Sequence, residues 1–233
     1  MHKTIQHIFF DLDHTLWDFE ANSWTAFERM FRELNLEEKL NTRFEAFHGT
    51  YVIHNKHYWR LYAQQQISQA DLRWKRMHAA LLDHQHDSET LAKDMSHHYL
   101  QILPEGSKIF PDTHELLTYL KNKNYQIHIL SNGFEQTQLQ KLLFSNLSQY
   151  FDHVITSEKT GFVKPDANIF QYAFDLTGAL KNQSIMIGDS PEADLQGALN
   201  AGIKSIFVNY DKIHTDVFFD YEVNQLLQIK EIL

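Results

Sequence analysis

The chain has no cysteine, so disulfides, thiolate zinc sites, iron–sulfur clusters and a cysteine nucleophile are excluded at once. Proline and glycine are scarce, at 4 and 8 of 233 residues. That is too few for a collagen-like repeat, long flexible linkers or a many-turned β-sandwich. Positive charge is also short: 21 Lys and Arg against 30 Asp and Glu give a formal net charge of −9. A generally acidic surface argues against a nucleic-acid partner, which needs Lys and Arg against its phosphates. It leaves room for a small phosphorylated ligand, because a metal ion and one lysine make a local cationic spot. No window reaches the roughly eighteen uncharged apolar residues of a membrane span. The opening MHKTIQHIFFDLD is broken by Asp11, so it reads as neither a span nor a secretory signal. The expectation is a soluble, cytoplasmic protein with no membrane partner.

Apolar material is plentiful, at 43% hydrophobic and 13% aromatic residues, enough for a sizeable core. The length suits one large domain, or a core with one inserted subdomain. Fifteen histidines mean that the acidic character weakens below about pH 6.5.

Residues 5–10 form a short apolar run ending at Asp11, which predicts a buried parallel strand. From about 17 to 105 helical spacing takes over. Trp24, Phe27, Met30, Phe31 and Leu34 share one face, and Phe44, Phe47, Tyr51, Tyr58, Leu61 and Tyr62 continue the pattern. Ser68 is a candidate N-cap for a helix through Leu82, and Ser88 for another to about Leu103. After Pro104, helices at 112–123, 134–144, 166–178 and 191–201 alternate with strands at 125–130, 152–156, 183–187 and 203–208, and a closing helix is predicted at 222–231. Such alternation signals an α/β fold with a Rossmann-like, doubly wound parallel sheet. Residues 1–16 and 105–233 make up that core domain, and 17–104 form an all-helical insert after the first strand.

In open parallel sheets ligands bind beyond the carboxyl ends of the strands. There the sequence sets Asp11-Leu12-Asp13-His14-Thr15, Ser131-Asn132-Gly133 and Gly188-Asp189-Ser190-Pro191-Glu192-Ala193-Asp194, with Lys164-Pro165 in the loop ahead of a helix. Singly these are ordinary: paired acids decorate loops, Ser-Asn-Gly suits a turn, and Gly-Asp-Ser suits a helix N-terminus. In this order, each at a strand end or beside its helix, they form a set. The set, D-x-D-x-T then Ser then Lys then G-D-x-x-x-x-D, resembles the haloacid dehalogenase (HAD) superfamily of aspartate-nucleophile phosphatases over about residues 5–208. The insert lies where that family's helical cap enters. The resemblance is closer to its YjjG/YfnB-like branch of nucleoside 5′-monophosphate phosphatases. It rests on Phe9-Phe10-Asp11-Leu12-Asp13, Asn55, Trp59, Leu130-Ser131-Asn132-Gly133-Phe134, Ser157-Glu158-Lys159-Thr160-Gly161, Lys164-Pro165-Asp166 and Asn200-Ala201-Gly202.

The resemblance implies a phosphomonoester hydrolase working through an aspartyl-phosphate, with Mg²⁺ as cofactor. Its partner would be a small phosphorylated metabolite, a pyrimidine nucleotide such as UMP, dUMP or dTMP. Asp11 would be the nucleophile, since a carboxylate can take the phosphoryl group and split one hard displacement into two. Asp13 would protonate the departing alkoxide and then take a proton from water. Ser131, the Asn132 backbone N–H and Lys164 would bind phosphate. Asp11, the Asp13 carbonyl and Asp189 would hold Mg²⁺, with Asp194 behind them through water or by fixing the loop. His14 departs from the family, which often has Gly there. It either approaches the leaving group or points into solvent. The insert's aromatics, with Trp17, Phe19, Trp24, Tyr58, Trp59 and Tyr62, serve either as core or as a stacking surface for a base. His97-His98 and His84-Gln85-His86-Asp87 read as solvated, without a zinc constellation. A sugar-phosphate phosphatase, a phosphomutase, a metal-free dehalogenase and a non-catalytic phosphate-binding module stand as alternatives. A monomer or homodimer is expected.

Overall fold

Among the described residues there are six strands, five of them built on short apolar runs, β1 His7–Phe10, β2 Gln126–Ser131, β3 His153–Thr156, β4 Ser184–Gly188 and β5 Lys204–Val208, and the sixth a short edge, β6 Tyr221–Val223. In this computed structural model, which describes residues 5–233, they form one sheet in the order β3-β2-β1-β4-β5-β6. The first four residues, with which the expected core domain begins, lie outside the described residues. Every neighbouring pair is parallel, and Phe10 faces Ile129 on one side and Ile187 on the other. β1 and β4 are buried throughout, which is why they read as continuous apolar runs rather than as alternation. The direction of winding reverses between β1 and β4, the kind of switch point at whose carboxyl ends parallel sheets bind ligands.

The chain divides into two compact units, one taking in the chain through Phe19 with Ser107–Leu233, the other Glu20–Gly106. The second is all-helical. Its elements are α1 Phe19–Glu33, which starts at the boundary, α2 Leu36–Leu40, α3 Phe44–Ala63, α4 Gln69–Asp83 and α5 Glu89–Ile102. Ser68 and Ser88 cap α4 and α5, accepting from the N–H groups of Asp71 (3.1 Å) and Leu91 (3.2 Å). Phe27 centres the core, its ring 4.3 Å from Tyr51 and 5.4 Å from Tyr99. Three aromatics depart from expectation. Trp24 is 42% exposed, and Trp17 and Phe19 belong to the α/β unit, where Trp17 is buried and bridges to Ile109. The histidines are not simply solvated: His98 meets Glu33 at 2.6 Å, His54 meets Asp83 at 2.7 Å and His78 meets Asp87 at 2.9 Å.

The sheet is flanked by α6 Thr113–Asn122, α7 Glu135–Phe144, α8 Ser157–Thr160, α9 Ala167–Thr177 and α10 Gln196–Ala201. Phe9, Leu130, Ile155, Ile169, Phe170, Met186 and Ala198 form a continuous apolar cluster between strands and helices. The closing helix expected at 222–231 is corrected: its first residues pair with β5 as β6, and only Leu226–Glu231 turn, as a 3-10 segment. Leu226 and Ile229 are its buried residues, three apart, which fits a three-residue period. Among the described residues, no helix is long and apolar enough to cross a membrane.

Candidate active site

Asp11 sits one residue beyond β1. Its N–H donates to Ile187 O at 2.9 Å, so the β1–β4 ladder runs on into the site and sets the direction of this side chain. The loop then folds tightly, with Leu16 and Trp17 N–H both donating to Leu12 O (3.0 and 2.9 Å). That turn buries Thr15 and points its Oγ1 at Asp189, to which it donates at 2.9 Å.

Asp189 follows β4, and Asp194 comes from Pro191–Leu195, a π-helical turn ahead of α10. Such a turn carries an extra residue and re-aims side chains, as is common at functional sites. Asp194 is 1% exposed, and its Oδ2 accepts from Ser190 N–H at 3.0 Å. Position 188 must be glycine, since a Cβ there would overlap the Asp194 carboxylate. Carboxylate oxygens of Asp11, Asp189 and Asp194 lie within 4.8 Å of one another.

Lys164 is 1% exposed. Its ammonium donates to Asp11 Oδ1 (2.6 Å), Asp194 Oδ1 (2.7 Å) and Leu130 O (2.6 Å), which uses all three protons. The loop that presents it is held by Asn132, whose side chain donates to Lys164 O (3.0 Å) and accepts from Lys164 N–H (2.8 Å). Burial opposes the Lys164 charge, but Asp11 and Asp194 more than offset it, and its pKa stands above the ordinary lysine value. Burial pushes Asp11 up to about 8; Lys164 works against this, while Asp194, Asp189 and Asp13 add to it. Burial, then the Asp194 charge, raises Asp189 to about 7. Three crowded carboxyl groups face one ammonium, and their mutual repulsion adds to burial in raising Asp11 and Asp189. The donors are hard oxygens, the kind that suit Mg²⁺ or Ca²⁺ rather than a soft metal.

Ser131 ends β2. Its Oγ accepts from Gly133 N–H (3.1 Å) and from Gln138 Nε2 (2.7 Å), which leaves its own proton for a ligand. Asp13 stands apart from the three-acid cluster. Its Oδ2 accepts from Gln138 Nε2 at 2.8 Å and its Oδ1 from Lys141 Nζ at 2.6 Å. Gln138 and Lys141, both buried on α7, are residues that the sequence reading missed. They share the inward face of α7 with Leu142, where a polar residue needs a partner, but the sequence does not show that this face is the inward one. His14 has φ 62°, the left-handed region that favours glycine, and its ring lies 5.0 Å from that of Phe19.

A parallel sheet with an Asp-x-Asp loop at its switch point, a buried lysine and a three-acid cluster is the arrangement of a class of hydrolase. The chain belongs to the haloacid dehalogenase-like hydrolase family, whose profile matches residues 8–208. It is 32% identical over 219 residues to the pyrimidine 5′-nucleotidase PynA of Streptococcus pneumoniae, covering 93% of this chain and 90% of that one. It is 30% identical over 206 residues to the pyrimidine 5′-nucleotidase YjjG of Escherichia coli, covering 87% and 85%. The crystal structure of the HAD-hydrolase YfnB of Bacillus subtilis, bound to magnesium, matches with a TM-score of 0.90 at 25% identity over 99% of both chains.

Proposed function

We propose that this chain is a Mg²⁺-dependent 5′-nucleotidase that hydrolyses pyrimidine nucleoside 5′-monophosphates through an aspartyl-phosphate at Asp11. One observation carries the reading: Lys164 bonds both Asp11 and Asp194, inside a carboxylate cluster completed by Asp189, at the sheet's switch point. The base preference rests on the likeness to the pyrimidine 5′-nucleotidases.

Lys164 holds Oδ1 of Asp11, so Oδ2 is the attacking oxygen. It forms a bond to phosphorus as the bond from phosphorus to the 5′ oxygen breaks, with entering and leaving groups in line. Asp13 gives its proton to the departing 5′ oxygen. It then takes one from the water that attacks the aspartyl-phosphate, which releases phosphate and returns Asp11 as a carboxylate and Asp13 as the protonated acid. Ser131 donates its remaining proton to a phosphoryl oxygen, and the Asn132 backbone N–H lies in the same turn. Lys164 works as a fixed charge that orients Asp11, because its protons are already engaged. Asp11, Asp189 and the Asp13 carbonyl would hold Mg²⁺, with Asp194 behind them. When bound, the ion neutralises phosphoryl charge so that one anion can approach another. The helical unit is inserted in the chain where the resemblance to the family implies a cap.

The test is phosphate release from UMP, dUMP and dTMP against purine nucleotides and sugar phosphates, with Mg²⁺ and with chelator. Turnover of the pyrimidine nucleotides that chelator abolishes is expected. Asp11→Asn should retain the fold and lose activity by more than 10³-fold, as removal of a nucleophile does. Undiminished turnover in that variant would remove Asp11 from its role. Preference for a sugar phosphate would replace the substrate assignment.

A further inference from the structure

The α7 pair Gln138 and Lys141 has no place in the chemistry above, yet its geometry is specific. The two residues are one helical turn apart, and each holds a different oxygen of the same carboxylate. Lys141 Nζ is 2.6 Å from Asp13 Oδ1 and Gln138 Nε2 is 2.8 Å from Asp13 Oδ2. Burying an ammonium is costly unless it is paired, so a lysine with a 3% exposed side chain is a poor choice for filling space. The rings of Trp17 and Phe19, 4.4 and 5.4 Å away, wall it against Asp13. The carboxylate opposite sets the orientation of the Gln138 amide, whose second proton goes to Ser131 Oγ at 2.7 Å. A single amide therefore spans the proton donor and the phosphate ligand. Gly133 completes the arrangement, because a Cβ there would overlap the Gln138 side chain.

We propose that Gln138 and Lys141 are positioning residues that clamp the Asp13 carboxylate at a set distance from the Ser131 phosphate seat, aligning it for protonation of the leaving oxygen. The clamp takes one lone pair of each Asp13 oxygen and leaves another for the reacting proton. A carboxylate on a loop would otherwise sample several rotamers. Misalignment by about 1 Å at a reacting group costs on the order of 10²-fold in rate. The inference rests on the phosphatase reading and on Asp13 as its acid.

The test compares kcat/KM for UMP and for p-nitrophenyl phosphate in the wild type, Lys141→Met, Lys141→Arg and Asp13→Asn. This ratio reports events up to the first irreversible step, the transfer to Asp11. A nucleoside leaves as an alkoxide that needs a proton, whereas nitrophenolate leaves without one. Lys141→Met should lose about 30-fold on UMP and at least tenfold less on p-nitrophenyl phosphate, through kcat rather than KM. Lys141→Arg should recover most of the loss. Asp13→Asn should give the same selectivity with a larger loss. If Lys141→Met does not fold, Gln138→Asn, which draws the amide back by one methylene, carries the same comparison; Gln138 also serves Ser131, so some loss on both substrates is expected, with the larger on UMP. Equal losses on both substrates in the folded variants, or no loss, would overturn the clamp. If Asp13→Asn does not distinguish the substrates, the acid role of Asp13 fails instead, and the phosphatase mechanism must be redrawn.

Discussion

At His14 the main chain takes φ 62° between Asp13 and Thr15, a conformation that costs an L-residue about 1 kcal/mol and glycine almost nothing. The ring contact with Phe19 repays part of this. His14→Gly is therefore expected to raise stability by about 0.5–1 kcal/mol, read as the urea midpoint at constant m-value. Gly188 presents the opposite case. Its lack of a side chain admits the Asp194 carboxylate, and Gly188→Ala must push Asp194 off Lys164. The variant should lose about 1–3 kcal/mol and more than tenfold in kcat, measured on the same preparation. Asp11, Asp13, Ser131, Asn132 and Asp189 drew attention in the sequence because they follow apolar runs that end in strands, whereas Lys164 and Asp194 stood out only through their order in the motif set. Gln138 and Lys141 did neither. A polar residue inside an amphipathic helix ordinarily faces water, and only the placement of Asp13 across from α7 reveals that these two face inward.

Among the elements, β2 carries an unusual burden. His128 is fully buried in it, its Nε2 3.2 Å from His7 Nδ1, with the ring of His7 stacked 5.5 Å away and that of His153 tilted 5.4 Å away on the neighbouring strands. Burial, helped by the His7 charge, drives the His128 pKa down to about 3, with Asp152 pulling the other way and His153 and Lys121 adding to the fall. In the unfolded chain the group titrates near 6.5. Between these values the unfolded state binds the extra proton, so stability is complete above about pH 6.5 and declines as the pH drops toward 3. At pH 5 the cost is about 2 kcal/mol. Urea unfolding at pH 7 and pH 5 should show that decrement in the wild type and a smaller one in His128→Gln. An identical slope in both would contradict the account. Strands β1 to β5 and the capped helices α4 and α5 were readable from apolar runs, turns and capping serines. β6 was not, because three residues at a sheet edge make no periodic pattern, while Leu226 and Ile229 beside them mimic one helical turn.

At the scale of the molecule, folding forces Asp11, Asp189 and Asp194 together, and Lys164 offsets only part of their charge. Divalent cations that bind this cluster only in the folded state must stabilise it by mass action. Millimolar Mg²⁺ should raise the melting temperature of the wild type by a few degrees and that of Asp189→Asn hardly at all. Without metal, Asp189→Asn should melt no lower than the wild type, because one repelling charge has gone. The ordering of the motifs along the chain made the site legible as a set; their convergence followed from sheet topology, which no single motif encodes.

The strand order places β1 between β2 and β4, partners that arrive more than a hundred residues later. Such distant pairings close slowly. A nascent chain that has not yet emitted β4 can carry Asp11 for most of synthesis and still lack Asp189 and Asp194 beside it. Regained turnover on dilution from urea would thus serve as a clock for the knitting of the sheet's two halves, with no spectroscopic label required.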